Sequence, residues 1–114
     1  MRVREFLERL NQYDSVTFVI QETAERKAPM YGKKSVYWTT PIRTVDEWLA
    51  GGSIDKYIVI NSNVPPIDVT GSWTRDYNKG RLKCCMITTE EELILRYGEK
   101  QGREMVDWYN ETVK

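Results

Sequence analysis

The stretch "VTFVIQE", Val16 to Glu22, combines β-branched and aromatic residues and predicts a β-strand. Successive side chains of a strand point to opposite faces, so Val16, Phe18 and Ile20 would share one face of a sheet. All three are apolar, and we expect that face to lie against a hydrophobic core. The segments before and after this strand indicate the class of fold.

The segments next to this strand predict a helix before it and a hairpin partner after it. Before it, Val3, Phe6, Leu7 and Leu10 have the spacing of one apolar helical face. After it, a polar stretch with Pro29 and Gly32 predicts a long loop. "SVYWTT", residues 35–40, then predicts a second strand that pairs with the first and ends at Pro41.

The stretch "TVDEWLAGG", residues 44–52, predicts a short helix. Thr44 and Glu47 have the spacing of a capping box, and Gly51 can close the helix in the left-handed conformation. Trp48 could serve as an exposed binding anchor. Its periodicity with Val45 favours a core position instead.

The second half of the chain predicts three more strands and a helix. "IDKYIVIN" is a strand, "NVPPID" a rigid extended connection, and "SWTRDY" and "RLKCCMITT" two strands around a turn that ends at Gly80. Thr89 and Glu92 then form a second capping-box pattern. The apolar stripe of the last helix follows its period through Ile94, Tyr97, Gln101, Met105 and Trp108.

Two glycines interrupt the last helix. Gly98 and Gly102 are each unfavourable inside a helix by about 1 kcal/mol relative to alanine. Either the helix breaks near Gly98, or the glycines allow another backbone to approach closely. We favour one long, imperfect helix.

The order of these elements predicts a single α+β domain over residues 1–114. Hairpins dominate and no regular βαβ series is visible. We therefore expect an antiparallel sheet of about four to five strands, with about three helices that mainly cover one face.

The composition argues against an enzyme. The chain has no histidine, which removes the usual general base and most nucleophile and metal sites. The adjacent Cys84 and Cys85 are expected to be small buried side chains, since neighbours in a strand point apart. We expect no catalytic residues, no cofactor and no metal ion.

Charge and hydropathy predict a soluble cytoplasmic protein. The 17 basic and 17 acidic residues balance, so the total charge does not indicate nucleic acid or a membrane as partner. The start, "MRVREFLERL", lacks the apolar run of a secretory leader, and no segment is long enough to span a membrane. We expect a reducing compartment.

Two segments nevertheless concentrate positive charge and aromatic rings. Residues 26–43 contain five cations and no carboxylate, and residues 71–83 contain four cations and one carboxylate. If the two segments form neighbouring hairpins, one surface would combine cations with flat rings, as single-stranded nucleic-acid sites do. The candidate binding residues are Tyr31, Lys33, Lys34, Tyr37, Arg43, Trp73, Arg75, Tyr77, Arg81 and Lys83.

Two other interpretations compete with nucleic-acid binding. Lysine and arginine commonly protect exposed sheet edges, and aromatic residues are common in any strand. Aromatic and arginine-rich patches are also typical of protein interfaces. We favour a non-catalytic binding protein whose partner is another protein, with a second copy of the chain as one candidate and nucleic acid as the alternative.

Three stretches carry a resemblance to a known group. "VREFLERLNQYDSVTF", "TPIRTVDEWL" and "EEELILRYGEKQGREMVDWY" resemble small uncharacterised proteins of Gram-positive gut bacteria, which are often carried on phage-like or conjugative elements. The resemblance provides no functional residues. It implies a context in which a mobile element encodes a protein that modulates a host factor.

Overall fold

The structure is a computed structural model that describes residues 1–23, 34–65 and 79–112. The loop predicted around Pro29 and Gly32 and the strand predicted in "SWTRDY" lie outside the described residues. The described helices are α1 (Val3–Glu8), α2 (Val45–Gly51), α3 (Glu90–Tyr97) and α4 (Glu99–Thr112). The described strands are β1 (Ser15–Thr23), β2 (Ser35–Thr39), β3 (Arg43–Thr44), β4 (Tyr57–Asn61) and β5 (Leu82–Thr89).

The strands form one mixed sheet in the order β2-β1-β5-β4, with β3 also paired to β1. The predicted hairpin of β1 and β2 is confirmed, with Val19 opposite Thr39 and Thr23 opposite Ser35. β1 and β5 run parallel, whereas the other pairs are antiparallel. The α+β class is confirmed, and the parallel pair is a departure from the antiparallel sheet that we expected.

Burial explains why β1 and β5 lie inside the sheet. Residues 16–20 of β1 are buried on both faces, and β5 buries Cys84 and Cys85, which point to opposite faces. Strands that are covered on both sides carry continuous apolar runs, as parallel strands do. The prediction that both cysteines are buried and free is confirmed.

Helices α1 and α2 cover the face that Val16, Phe18 and Ile20 share. These side chains form one core with residues of both helices, as the alternation in β1 predicts. Trp48 is part of this core, which confirms its predicted position. Complete burial of an aliphatic or aromatic side chain of this kind stabilises a fold by about 1.5–3 kcal/mol. The helical members of the core are Val3, Leu7, Val45 and Trp48.

The opposite face is covered as well. Val59 of β4 belongs to the first core, so its neighbour Ile58 points to the opposite face. There Ile58 packs with Leu93 of α3 and Val106 of α4. The expectation that helices mainly cover one face is therefore wrong. The sequence pattern did not reveal this, because Ile58 and Val59 are both apolar and indicate no preferred face.

The last helix is two helices, so the expected single long helix is also wrong. Gly98 has a φ of 89°, which ends α3, and α4 folds back against it. Gly102 lies against the α3 backbone, since an added Cβ would be 2.6 Å from the Cα of Ile94. The break changes the helical phase, and Trp108 of the predicted apolar stripe is 56% exposed.

Helix α2 has the predicted capping box. The amide of Glu47 donates to the hydroxyl of Thr44, and the Glu47 carboxylate accepts from the Thr44 amide. The left-handed closure falls at Gly52, with φ 69°, one residue after the predicted Gly51. Within the described ranges, no helix is both long and apolar enough to cross a membrane.

Candidate functional site

A groove of about 310 Å³ opens between β2 and the segment that follows α2. Its floor consists of Phe18, Ile20 and Ile87, from the two central strands. We call it the aromatic groove, because four aromatic side chains line it together with two cations. Its walls include Trp38, Pro41, Arg43, Trp48, Lys56 and Tyr57.

A bulge after β2 shapes one wall of the aromatic groove. Thr39 pairs with Val19 and Arg43 with Val16, so the β2 side holds one residue more than β1 between these pairs. Thr40 fixes the bulge from inside: its amide donates to the Phe18 carbonyl at 2.9 Å, and its hydroxyl accepts from the Phe18 amide at 3.0 Å. Pro41 has no amide hydrogen and ends the pairing.

The wall formed by Trp48 is held rigidly. Its indole Nε1 donates to the carbonyl of Val16 at 3.0 Å, so the buried N–H is satisfied. Its ring meets Phe18 edge to face, with 5.0 Å between the ring centroids. This wall is therefore preorganised before any ligand binds.

Two cations lie on aromatic rings at the rim. The guanidinium Cζ of Arg43 is 5.2 Å from the centroid of the Trp48 ring, and Nζ of Lys56 is 5.4 Å from that of Tyr57. Both distances are within the range of cation–π attraction. No carboxylate lines the described part of the groove, and neither cation forms a salt bridge within the described residues.

A larger cavity of about 500 Å³ adjoins the groove and shares Lys56 and Tyr57 with it. Four glutamates line this cavity, and we call it the glutamate cavity. The Glu92 carboxylate accepts from the Thr23 amide at 2.7 Å, and Glu90 lies 3.1 Å from Arg103. The glutamates are Glu22, Glu90, Glu91 and Glu92.

Tyr57 lines both the glutamate cavity and the aromatic groove. Burial raises the pKa of Tyr57, and the charges of Glu22 and Glu92 raise it further. Its phenol therefore keeps its proton at neutral pH. In the described part of the chain, no group of three or more metal-ligating side chains is placed to hold a metal ion.

The cysteines are not available as thiolates. Burial raises the pKa of Cys84 to about 12. Burial, with the neighbouring Cys84 as a smaller cause, raises the pKa of Cys85 well above its ordinary value. Since the thiolate is the reactive form, both side chains act as apolar core residues.

Five of the ten predicted binding residues are described, and they do not share one face. Tyr37 lies opposite Gln21, whose amide donates to its hydroxyl at 3.1 Å. Arg43 and Lys83 both pair with Val16 and so lie on the other face of the sheet. Lys34 and Arg81 are exposed beyond the ends of β2 and β5.

The complete predicted surface stays a prediction, because half of its residues lie outside the described part of the chain. These residues are Tyr31, Lys33, Trp73, Arg75 and Tyr77.

Sequence reasoning identified one member of the aromatic groove, Arg43, as a binding residue. It did not identify Trp38, Lys56 or Tyr57. One signal was present: Trp38 alternates with Tyr37, so one of the two rings had to point to the face of Phe18 and Ile20. Lys56 and Tyr57 carry no such signal, since their approach to Trp38 depends on the order of the strands.

Comparisons of the chain with protein-family models, with curated proteins and with solved structures gave no match.

Proposed function

We propose that the chain is a non-catalytic binding protein that acts through protein–protein interaction, with the aromatic groove as its docking site. The observation that carries this proposal is the half-exposed Trp38 beside the stacked pair of Arg43 and Trp48. Tryptophan, tyrosine and arginine are the residue types that contribute most to binding energy at protein interfaces.

The rigidity of the aromatic groove supports the proposal. Trp48 is fixed by its hydrogen bond to Val16, and the stacking of Arg43 restricts a side chain that is otherwise mobile. A partner then has less side-chain entropy to remove on binding. Trp38 in the wall of the groove is also partly exposed, which suits a chain segment better than an enclosed small molecule.

The proposed setting is the cytoplasm of a bacterium that carries a mobile element, where the protein modulates a host factor. Two observations support it. The resemblance of residues 3–18 and 40–49 to mobile-element proteins suggests the source, and the buried, free Cys84 and Cys85 suit a reducing compartment.

The proposal is tested with a phage-displayed library of random peptides selected on the immobilised protein. We expect enriched peptides whose affinity falls about tenfold or more in Trp38→Ala, because the groove loses its exposed ring. Trp108→Ala is the matched control, since that ring is also exposed but lies on α4. Enriched peptides that bind Trp38→Ala as well as the parent protein would overturn the proposal, as would a selection without enrichment.

A second copy of the chain is one candidate partner. Light scattering after size-exclusion chromatography measures the mass of the parent protein and of Trp38→Ala. A dimer that Trp38→Ala converts to a monomer would identify the second copy as the partner. A parent protein that remains monomeric at high concentration would remove this candidate.

Single-stranded nucleic acid is the second candidate function. Arg43 and Lys83 flank Val16 in one row across three strands, which favours it. Fluorescent single- and double-stranded oligonucleotides would be titrated at low and moderate salt into the parent protein and Arg75→Glu/Lys83→Glu. Binding that weakens with salt and is lost in the variant supports this function, whereas no binding at low salt excludes it.

A further inference from the structure

We draw no further inference here: the strongest candidate, the exposed face of α4 that carries Trp108 between Glu104 and Glu111, lies outside the site already described, and nothing in the structure shows what covers it.

Discussion

Helices α2 and α3 begin with the same four-residue pattern, a threonine followed three residues later by a glutamate, yet the structure uses the two glutamates differently. Glu47 completes a local capping box with Thr44 and is exposed. Glu92 is buried, and its carboxylate accepts from the amide of Thr23, a residue 69 positions away. The comparison teaches that a capping pattern predicts the start of a helix but not the partner of its carboxylate.

The ends of the two helices differ in the same way. Helix α2 ends at the surface with Gly52 in the left-handed conformation. Helix α3 ends at Gly98, after which α4 returns and presses Gly102 against the α3 backbone. The two ends of α2 are therefore stabilised by residues next to the helix itself. The start of α3 instead contacts β1 through Glu92, and its end contacts α4 through Gly102.

The largest expected effect comes from separating α4 from α3. Gly102→Ala would place a Cβ 2.6 Å from the Cα of Ile94, and backbone atoms cannot yield as a flexible side chain can. We expect a loss of stability of about 3 kcal/mol, measured by urea unfolding. Gly51→Ala in α2 is the control: its nearest neighbour would be the Ser53 hydroxyl at 4.0 Å, and stability should hold or rise. Equal losses of stability in Gly102→Ala and Gly51→Ala would contradict the close approach of Gly102 to the α3 backbone.

A smaller effect should follow from removing the two glutamates. Glu92→Ala leaves the buried Thr23 amide without this acceptor, and we expect a loss of about 2–3 kcal/mol. Glu47→Ala removes a capping contact at the surface and should cost less than Glu92→Ala. Glu92→Gln, which keeps an acceptor oxygen, should recover part of the loss. If thermal and urea unfolding gave the same loss for both alanine variants, the tertiary role of Glu92 would be refuted.

The smallest effect is the pH dependence of the α2 cap. Hydrogen bonds from the amide and then the hydroxyl of Thr44 lower the pKa of Glu47 below its ordinary value of 4.5. A carboxyl group whose pKa is lower in the folded state adds stability above the unfolded pKa and loses it as pH falls through the folded pKa. The parent protein should therefore exceed Glu47→Gln in stability at neutral pH, and the difference should shrink below about pH 4.

The matched control for this pH dependence removes the hydroxyl donor. In the Thr44→Ala background, the urea midpoints with Glu47 and with Glu47→Gln should differ by an amount that changes little with pH. The difference between the parent protein and Glu47→Gln should change more. If the midpoint difference stayed constant from neutral to acid pH in both backgrounds, the stabilisation of the Glu47 carboxylate by Thr44 would be contradicted.

The same contrast describes what the sequence could predict. Local signals were sufficient for α1, α2, the β1–β2 hairpin and the buried cysteines, because alternation, helical periodicity and capping depend on near neighbours. The parallel pairing of β1 with β5 and the contact of Glu92 with Thr23 depend on residues far apart in sequence, which no short pattern encodes. A break at Gly98 and the close approach of another backbone were alternatives in the sequence, and the structure has both, since Gly102 packs on α3 after the break.

The candidate site was less predictable than the fold. Arg43 was singled out for its charge, but its partner ring Trp48 was assigned to the core alone. The aromatic groove forms only when the bulge after Thr39 brings Trp38 and Arg43 around the floor that β5 completes. Those contacts follow from the order of the strands, which the sequence pattern left open.

The parallel pair of β1 and β5 also has a consequence for synthesis of the chain. β1 can pair with β2 soon after both leave the ribosome, but among the described residues its other edge is paired by residues 82–87 alone. Contacts that join distant parts of a chain form late, because closing a long loop costs entropy first. During translation the unfinished edge of β1 is therefore apolar and unpaired, and this is the interval in which the nascent chain is most exposed to aggregation.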